Sequence, residues 1–385
     1  TCDVAGDLEL GGNATGLTVT TSAAVNLNAD MNIRALSTGA NVTCAAPRTA
    51  TVGAGGYTMT NGTLTGTLNV DLSAGAGAYA QNSGTIADGA VLNVTTGTGA
   101  ITFTALTKTG SGALNVTMAE SANIGWNAGV ASAATNRISL LTVNSGKTAT
   151  LTADVDVSAL AGSGTVATSS GKDLRAAFLG DNFWTFTGSV TGAGRVWFYA
   201  WANTSNAAAI TVANSSTTNL EGGNGLSCTL SGRLTTSGAL NVNGTGGSNV
   251  VTWTLNGGSN IGGAVTVGST TQSGILVFGP SQVHVLASTL AMSGTGVSNA
   301  VTIGGRLILG GTMTGTGIVV AVAGDGEIDC GGTARVTATT VTGRRLVVRR
   351  AVDAAGMPLR SWEGGASNVN IMFKGRKEIG APGVN

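Results

Sequence analysis

Charge, proline, aromatic rings and histidine are all scarce in this chain, and each scarcity excludes something. Of 385 residues, 19 are Lys or Arg and 18 are Asp or Glu, a tenth of the chain against about a quarter in ordinary globular proteins. The net charge is +1 and mean hydropathy is positive, which excludes the charged, weakly hydrophobic composition of disordered chains. Only Pro47, Pro280, Pro358 and Pro382 interrupt the sequence, so it is neither a proline-rich linker nor a collagen. No run approaches about 18 consecutive apolar residues, the length that marks a membrane-spanning helix. Membrane insertion by a helix is therefore not expected. A single histidine, His284, rules out multi-histidine metal sites and leaves one imidazole for any catalytic triad. It alternates with Val283 and Val285 and is read as a solvated strand histidine on the face opposite them. Four cysteines, Cys2, Cys44, Cys228 and Cys330, form no C-x-x-C pair and permit three pairings. A Cys2–Cys44 bridge tying the N-terminus to an early coil is the expected one, with buried free thiols as the alternative. The start at Thr1, without Met or a signal pattern, is read either as a processed product or as a fragment.

In place of charge the chain carries 62 glycines, far above the usual share of about 7%, in a background of Thr, Ser and Asn. A unit recurs: Gly-x-Gly, then an alternating β-branched stretch. Gly97-Thr98-Gly99 precedes Ala100-Ile101-Thr102-Phe103, and Gly110-Ser111-Gly112 precedes Ala113-Leu114-Asn115-Val116. Gly315-Thr316-Gly317 precedes Ile318-Val319-Val320. Glycine supplies corners, and alternation sends every second side chain inward. Helix signals are nearly absent. The pattern predicts an all-β chain, an elongated parallel β-solenoid of about 20–25 residues per coil, with tandem antiparallel β-sandwiches as the alternative. Residues 1–54 read as an N-terminal cap and first coils, 55–340 as the solenoid body, and 341–385 as a basic assembly or capping segment.

Segments such as Thr109-Gly-Ser-Gly-Ala-Leu-Asn-Val-Thr117 and Ile303-Gly-Gly-Arg-Leu-Ile-Leu-Gly-Gly311 carry a resemblance. The chain resembles bacterial and phage secreted β-helical proteins: autotransporter passengers, large adhesins and tail appendages. The resemblance spans most of residues 55–340 and implies an extracellular or cell-surface location, with a virion appendage as the alternative.

Chemistry-bearing residues are few, and no catalytic residue or cofactor is expected. Paired carboxylates suited to glycoside hydrolysis occur at Asp154 and Asp156. A second acidic row, Asp325, Glu327 and Asp329, shares one strand face and suits either solvent or Ca²⁺. The motifs by which polygalacturonase-like β-helices resemble one another are missing. Eight of the sixteen aromatics fall in residues 178–201. Of these, Trp184, Trp197, Tyr199 and Trp201 are candidates for a contact patch toward another subunit or a glycan, with core packing as the alternative. Residues 335–385 hold nine of the nineteen basic groups and three acids. The Arg344-Arg345-Leu-Val-Val-Arg349-Arg350 stretch reads as a strand rather than a nucleic-acid motif. Farther on, Val369, Ile371 and Phe373 share a strand face. Together these seven residues are the expected subunit interface. The sequence is thus read as a non-enzymatic fibre or filament subunit whose partner is a second copy of itself, with a cell-surface glycan as a further candidate partner. A receptor-binding or glycan-processing β-helix is the rival reading.

Overall fold

A computed structural model gives the structure of the chain. It describes all residues except 1, 9–12, 106, 127–136, 179, 214–216, 246–248, 270, 293–298, 323–325, 331–335, 344–345, 349–370 and 374–385. The described residues form short strands and no helix. Their pairings are parallel, and the strands stack as a β-solenoid of about 13 turns. By compactness the chain divides into two units, Thr1–Tyr199 with Ile210–Thr217, and Ala200–Ala209 with Thr218–Asn385. Residues 54 and 55 lie inside one strand, Val42–Met59, and Val336–Gly343 spans 340 and 341.

In the first unit each coil repeats its predecessor at nearly fixed register. Thr63 pairs Thr85, which pairs Thr107; Leu68 pairs Leu92, which pairs Leu114. Parallel strands lie about 4.8 Å apart, so a side chain stands directly over its counterpart one coil away. The inward columns are apolar. One runs Val19, Leu36, Tyr57, Tyr79, Ile101, Ile124, Leu151, and all seven are buried. Within it Tyr57 and Tyr79 stack with centroids 5.5 Å apart. Their hydroxyls would be costly to bury alone; Tyr57 meets Thr38 Oγ1 at 3.1 Å and Tyr79 donates to Gln81 Oε1 at 2.7 Å. Burying each large side chain contributes about 1.5–3 kcal/mol. The second unit uses the same plan, with the column Cys228, Trp253, Leu276 and Val301 fully buried.

The outward face explains the Asn and Thr content. Asn115 Nδ2 donates to Asn93 Oδ1 at 2.9 Å, and Asn93 Nδ2 to Asn69 Oδ1 at 2.8 Å. Each amide has both a donor and an acceptor, so a column of Asn bonds to itself at the strand spacing. Asn241 and Asn219 repeat this in the second unit at 3.1 Å. Corners are tied similarly: Asn41 Oδ1 accepts Thr63 N–H at 2.9 Å, and Asp88 Oδ1 accepts Ser111 N–H at 2.7 Å. Gly66 shows why corners need glycine. Its φ is +83°, and a Cβ there would lie 1.9 Å from the Cys44 carbonyl oxygen.

Candidate functional site

Three consecutive coils of the first unit bring a charged cluster onto one outward face. Asp156 lies in strand Val155–Val157 and pairs Arg175 in strand Asp173–Phe178. Arg195 opens strand Arg195–Ala200, and its N–H donates to Lys172 O, which seats it beside Asp173. Because i and i+2 share a strand face, Asp154 and Asp156, Asp173 and Arg175, and Arg195 and Trp197 form three rows of two.

The contacts follow from that grid. Arg195 grips Asp173 with both ends of its fork, Nε to Oδ1 at 2.9 Å and Nη2 to Oδ2 at 3.0 Å. This bidentate pairing holds the Arg195 pKa above its ordinary value. Arg175 Nη2 bonds to Asp154 and lies 3.4 Å from Asp173 Oδ2. Its Nη1 stands 3.8 Å from Asp156 Oδ1, too far for a hydrogen bond. The Arg195 guanidinium also lies over the Trp197 ring, 5.3 Å from its centroid, a cation–π contact. Asp156 is 2% exposed. Burial pushes its carboxyl pKa up; Arg175 and Arg137 pull it back, while Asp154 and Asp173 push it further. Arg137 is itself buried, donates Nη1–H to the Ala177 carbonyl, and is held below its usual pKa by desolvation. Asp156 Oδ1 and Trp197 Nε1 are both buried without a hydrogen-bond partner.

The acidic pair expected at Asp154 and Asp156 is thus brought together, and three arginines join it. At the other acidic row, Asp325 lies outside the described residues. Glu327 and Asp329 share a face of strand Glu327–Cys330, and the Asp329 carboxylate takes the Arg306 guanidinium. Among the described residues no three His, Cys, Asp or Glu side chains are grouped to hold a metal ion.

The aromatic patch needs correction at one position. Trp184 is fully buried, 5.1 Å from Phe198 and 5.8 Å from Phe186, because it continues the inward column of Leu141 and Leu160. Trp197 and Tyr199 are half-buried on the outward face, Phe198 points inward, and Trp201 is 41% exposed. His284 also departs from expectation. The alternation holds, but the faces are exchanged: His284 is fully buried and Val283 is 47% exposed. His284 stands in the inward column of Ser259, Leu307 and Ile328. Its Nδ1 meets Ser259 Oγ at 3.1 Å and its Nε2 meets Gly279 O at 3.2 Å, so both nitrogens are satisfied in the core. Burial lowers its pKa and keeps it neutral. The Cys2–Cys44 bridge is not formed: Cys44 is a buried free thiol with its pKa pushed up to about 11, and Cys228 is another, at about 12. Desolvation by burial accounts for both.

Arg344, Arg345, Arg349, Arg350 and Val369 lie outside the described residues. Ile371 and Phe373 belong to strand Ile371–Phe373, which pairs in parallel with Leu346–Val348 of its own chain.

Beyond the cluster, two further titratable groups were not anticipated. Lys108 sits in the column of Leu64 and Ile86, donates to Ser139 Oγ at 2.9 Å, and is lowered by burial to about 8. Glu221 pairs Asn243, and desolvation raises it to about 7. Asn243 Oδ1 is buried without a donor. No protein-family profile, curated protein or solved structure matches this chain.

Proposed function

We propose that this chain is a non-enzymatic structural β-solenoid, a subunit of a fibre or filament at the cell surface or outside the cell, whose partner is another copy of itself. The observation that carries the reading is coil-to-coil self-complementarity, in which Asn69, Asn93 and Asn115 bond each to the next. A coil built this way presents an edge that any equivalent coil completes, whether it comes from the same molecule or another. The strand Ile371–Phe373 pairs with Leu346–Val348 of its own chain, an added strand completing a coil edge, and the fibre reading extends that pairing by residues 364–385 to a neighbouring copy. The arginines before it and the net negative charge of residues 1–334 supply attraction between copies, weakened by salt. The arginine pairings of Asp154, Asp173 and Asp329 and the core position of His284 support a structural use of these residues over a catalytic one.

Negative-stain electron microscopy and light scattering of the purified chain test this. Linear assemblies that lengthen with concentration are expected, and deletion of residues 364–385 is expected to leave folded, unassembled particles. Single particles of constant size at every concentration refute the proposal. Unchanged polymerisation by the truncated chain removes the tail from the interface.

A further inference from the structure

We infer that the cluster of Asp154, Asp156, Asp173, Arg175, Arg195 and Trp197 is a binding subsite for a neutral, hydroxyl-rich saccharide. Asp154, Asp156 and Asp173 are matched in number by Arg175, Arg195 and the neighbouring Arg137, so the formal charges of the cluster balance and favour neither an anion nor a cation. What it offers is a dense set of oriented donors and acceptors.

Two of these are unused. Asp156 is almost wholly buried and its Oδ1 lacks a donor; Trp197 Nε1 lacks an acceptor. Leaving such groups unpaired is costly in a folded protein. A sugar hydroxyl is donor and acceptor at once, and a ring carrying several hydroxyls satisfies both kinds of group along one strand face. The spacing fits an extended ligand. Asp156 and Arg175 are register partners one strand apart, and Trp197 lies on the next strand, so the unpaired atoms belong to strands about 10 Å apart.

Access runs through Arg175. Its side chain is 20% exposed and stands over Asp156 while its Nη2 is shared between Asp154 and Asp173. A long, flexible side chain that moves by one rotamer exchanges a carboxylate contact for a ligand hydroxyl and uncovers Oδ1. Asp154 and Arg195, 39% and 52% exposed, form the rim that meets the ligand first. The glycan of this subsite is independent of the fibre reading, since it engages a lateral face of the first unit.

The test uses the full chain and short neutral gluco-, galacto- and manno-oligosaccharides, with saturation-transfer NMR for contact and calorimetry for affinity. Trp197→Phe keeps an aromatic face but removes the pyrrole part of the indole with its Nε1–H, and Asp156→Asn removes the acceptor charge; each is expected to weaken binding about tenfold or more, the value of at least one hydrogen bond. Arg195→Gln, which takes the fork from Asp173 and the cation from the Trp197 ring, gives a similar loss. Far-UV circular dichroism checks that each variant keeps the wild-type strand signal. Should Asp156→Asn fail to fold, Trp197→Phe and Arg195→Gln decide the matter. Absence of binding by every oligosaccharide overturns the inference, as does binding that all folded variants retain at wild-type affinity. Separate water molecules on Asp156 and on Trp197 then account for the unpaired atoms.

Discussion

Replacing Glu221 with Gln isolates the cost of a single desolvated carboxylate. Glu221 lies in strand Thr218–Gly222 beside Asn243, and desolvation is the cause that lifts its pKa from 4.5 to about 7. The folded state therefore holds the proton more tightly than the unfolded chain. Its contribution is fully favourable below pH 4.5, declines as pH rises, and becomes a fixed penalty above about 7. At about 1.4 kcal/mol for each tenfold change in proton affinity, the span amounts to about 3 kcal/mol. Partial solvent access to the carboxyl reduces this to about 2 kcal/mol. Gln has nearly the same shape and no charge to desolvate, so E221Q is expected to match the wild type below pH 4.5 and to exceed it above pH 7. For a unit of this size the excess is a rise of several degrees in Tm. Thermal melts followed by circular dichroism across that pH range read it directly. Coincident melts at every pH, or a variant less stable than wild type above pH 7, refute the reasoning, because either result means that the charged form is well solvated where it stands.

Two further outcomes follow from packing. Trp184→Ala removes a fully buried ring set against Phe186 and Phe198 and is expected to cost about 3–5 kcal/mol, read as a fall in the denaturant midpoint. Cys44 and Cys228, buried with pKa values of about 11 and 12, are expected to resist a thiol reagent at neutral pH in the native protein. Both should react once the chain is unfolded, and rapid native labelling of either would contradict its burial.

The solenoid was legible because its two requirements leave separate marks: glycine where the chain turns, and β-branched alternation where it runs straight. Alternation also paired the faces correctly at Asn115, outward, and Leu114 and Val116, inward. It could not say which face is the inner one when the residues are ambiguous. Val283, His284 and Val285 read as two apolar residues against one polar, yet the polar one is inside, because its column neighbours and a Gly279 carbonyl accept it there. Trp184 and Trp197 pose the same problem, since both are large and apolar enough for either side. The charged cluster was half legible. Asp154 and Asp156 stand two apart in the sequence, but Asp173, Arg175 and Arg195 reach them only through coil stacking, at separations of 19 to 22 residues. The Gly-x-Gly units at residues 97–99, 110–112 and 315–317 recur at unequal intervals, which hid that step. The 22-residue recurrence of Thr63, Thr85 and Thr107 was the visible signal of it.

That recurrence bears on how such a chain can change. Cutting or copying a segment between two matching column positions, such as Thr63 and Thr85, restores every following side chain to the face it had before. Inserting a single residue inside a strand turns the whole row inside out. Recombination between neighbouring coils is thus a mild event and a one-codon slip a severe one, although the first alters far more sequence. Length is the variable this architecture leaves open to inheritance, and phase is the one it holds fixed.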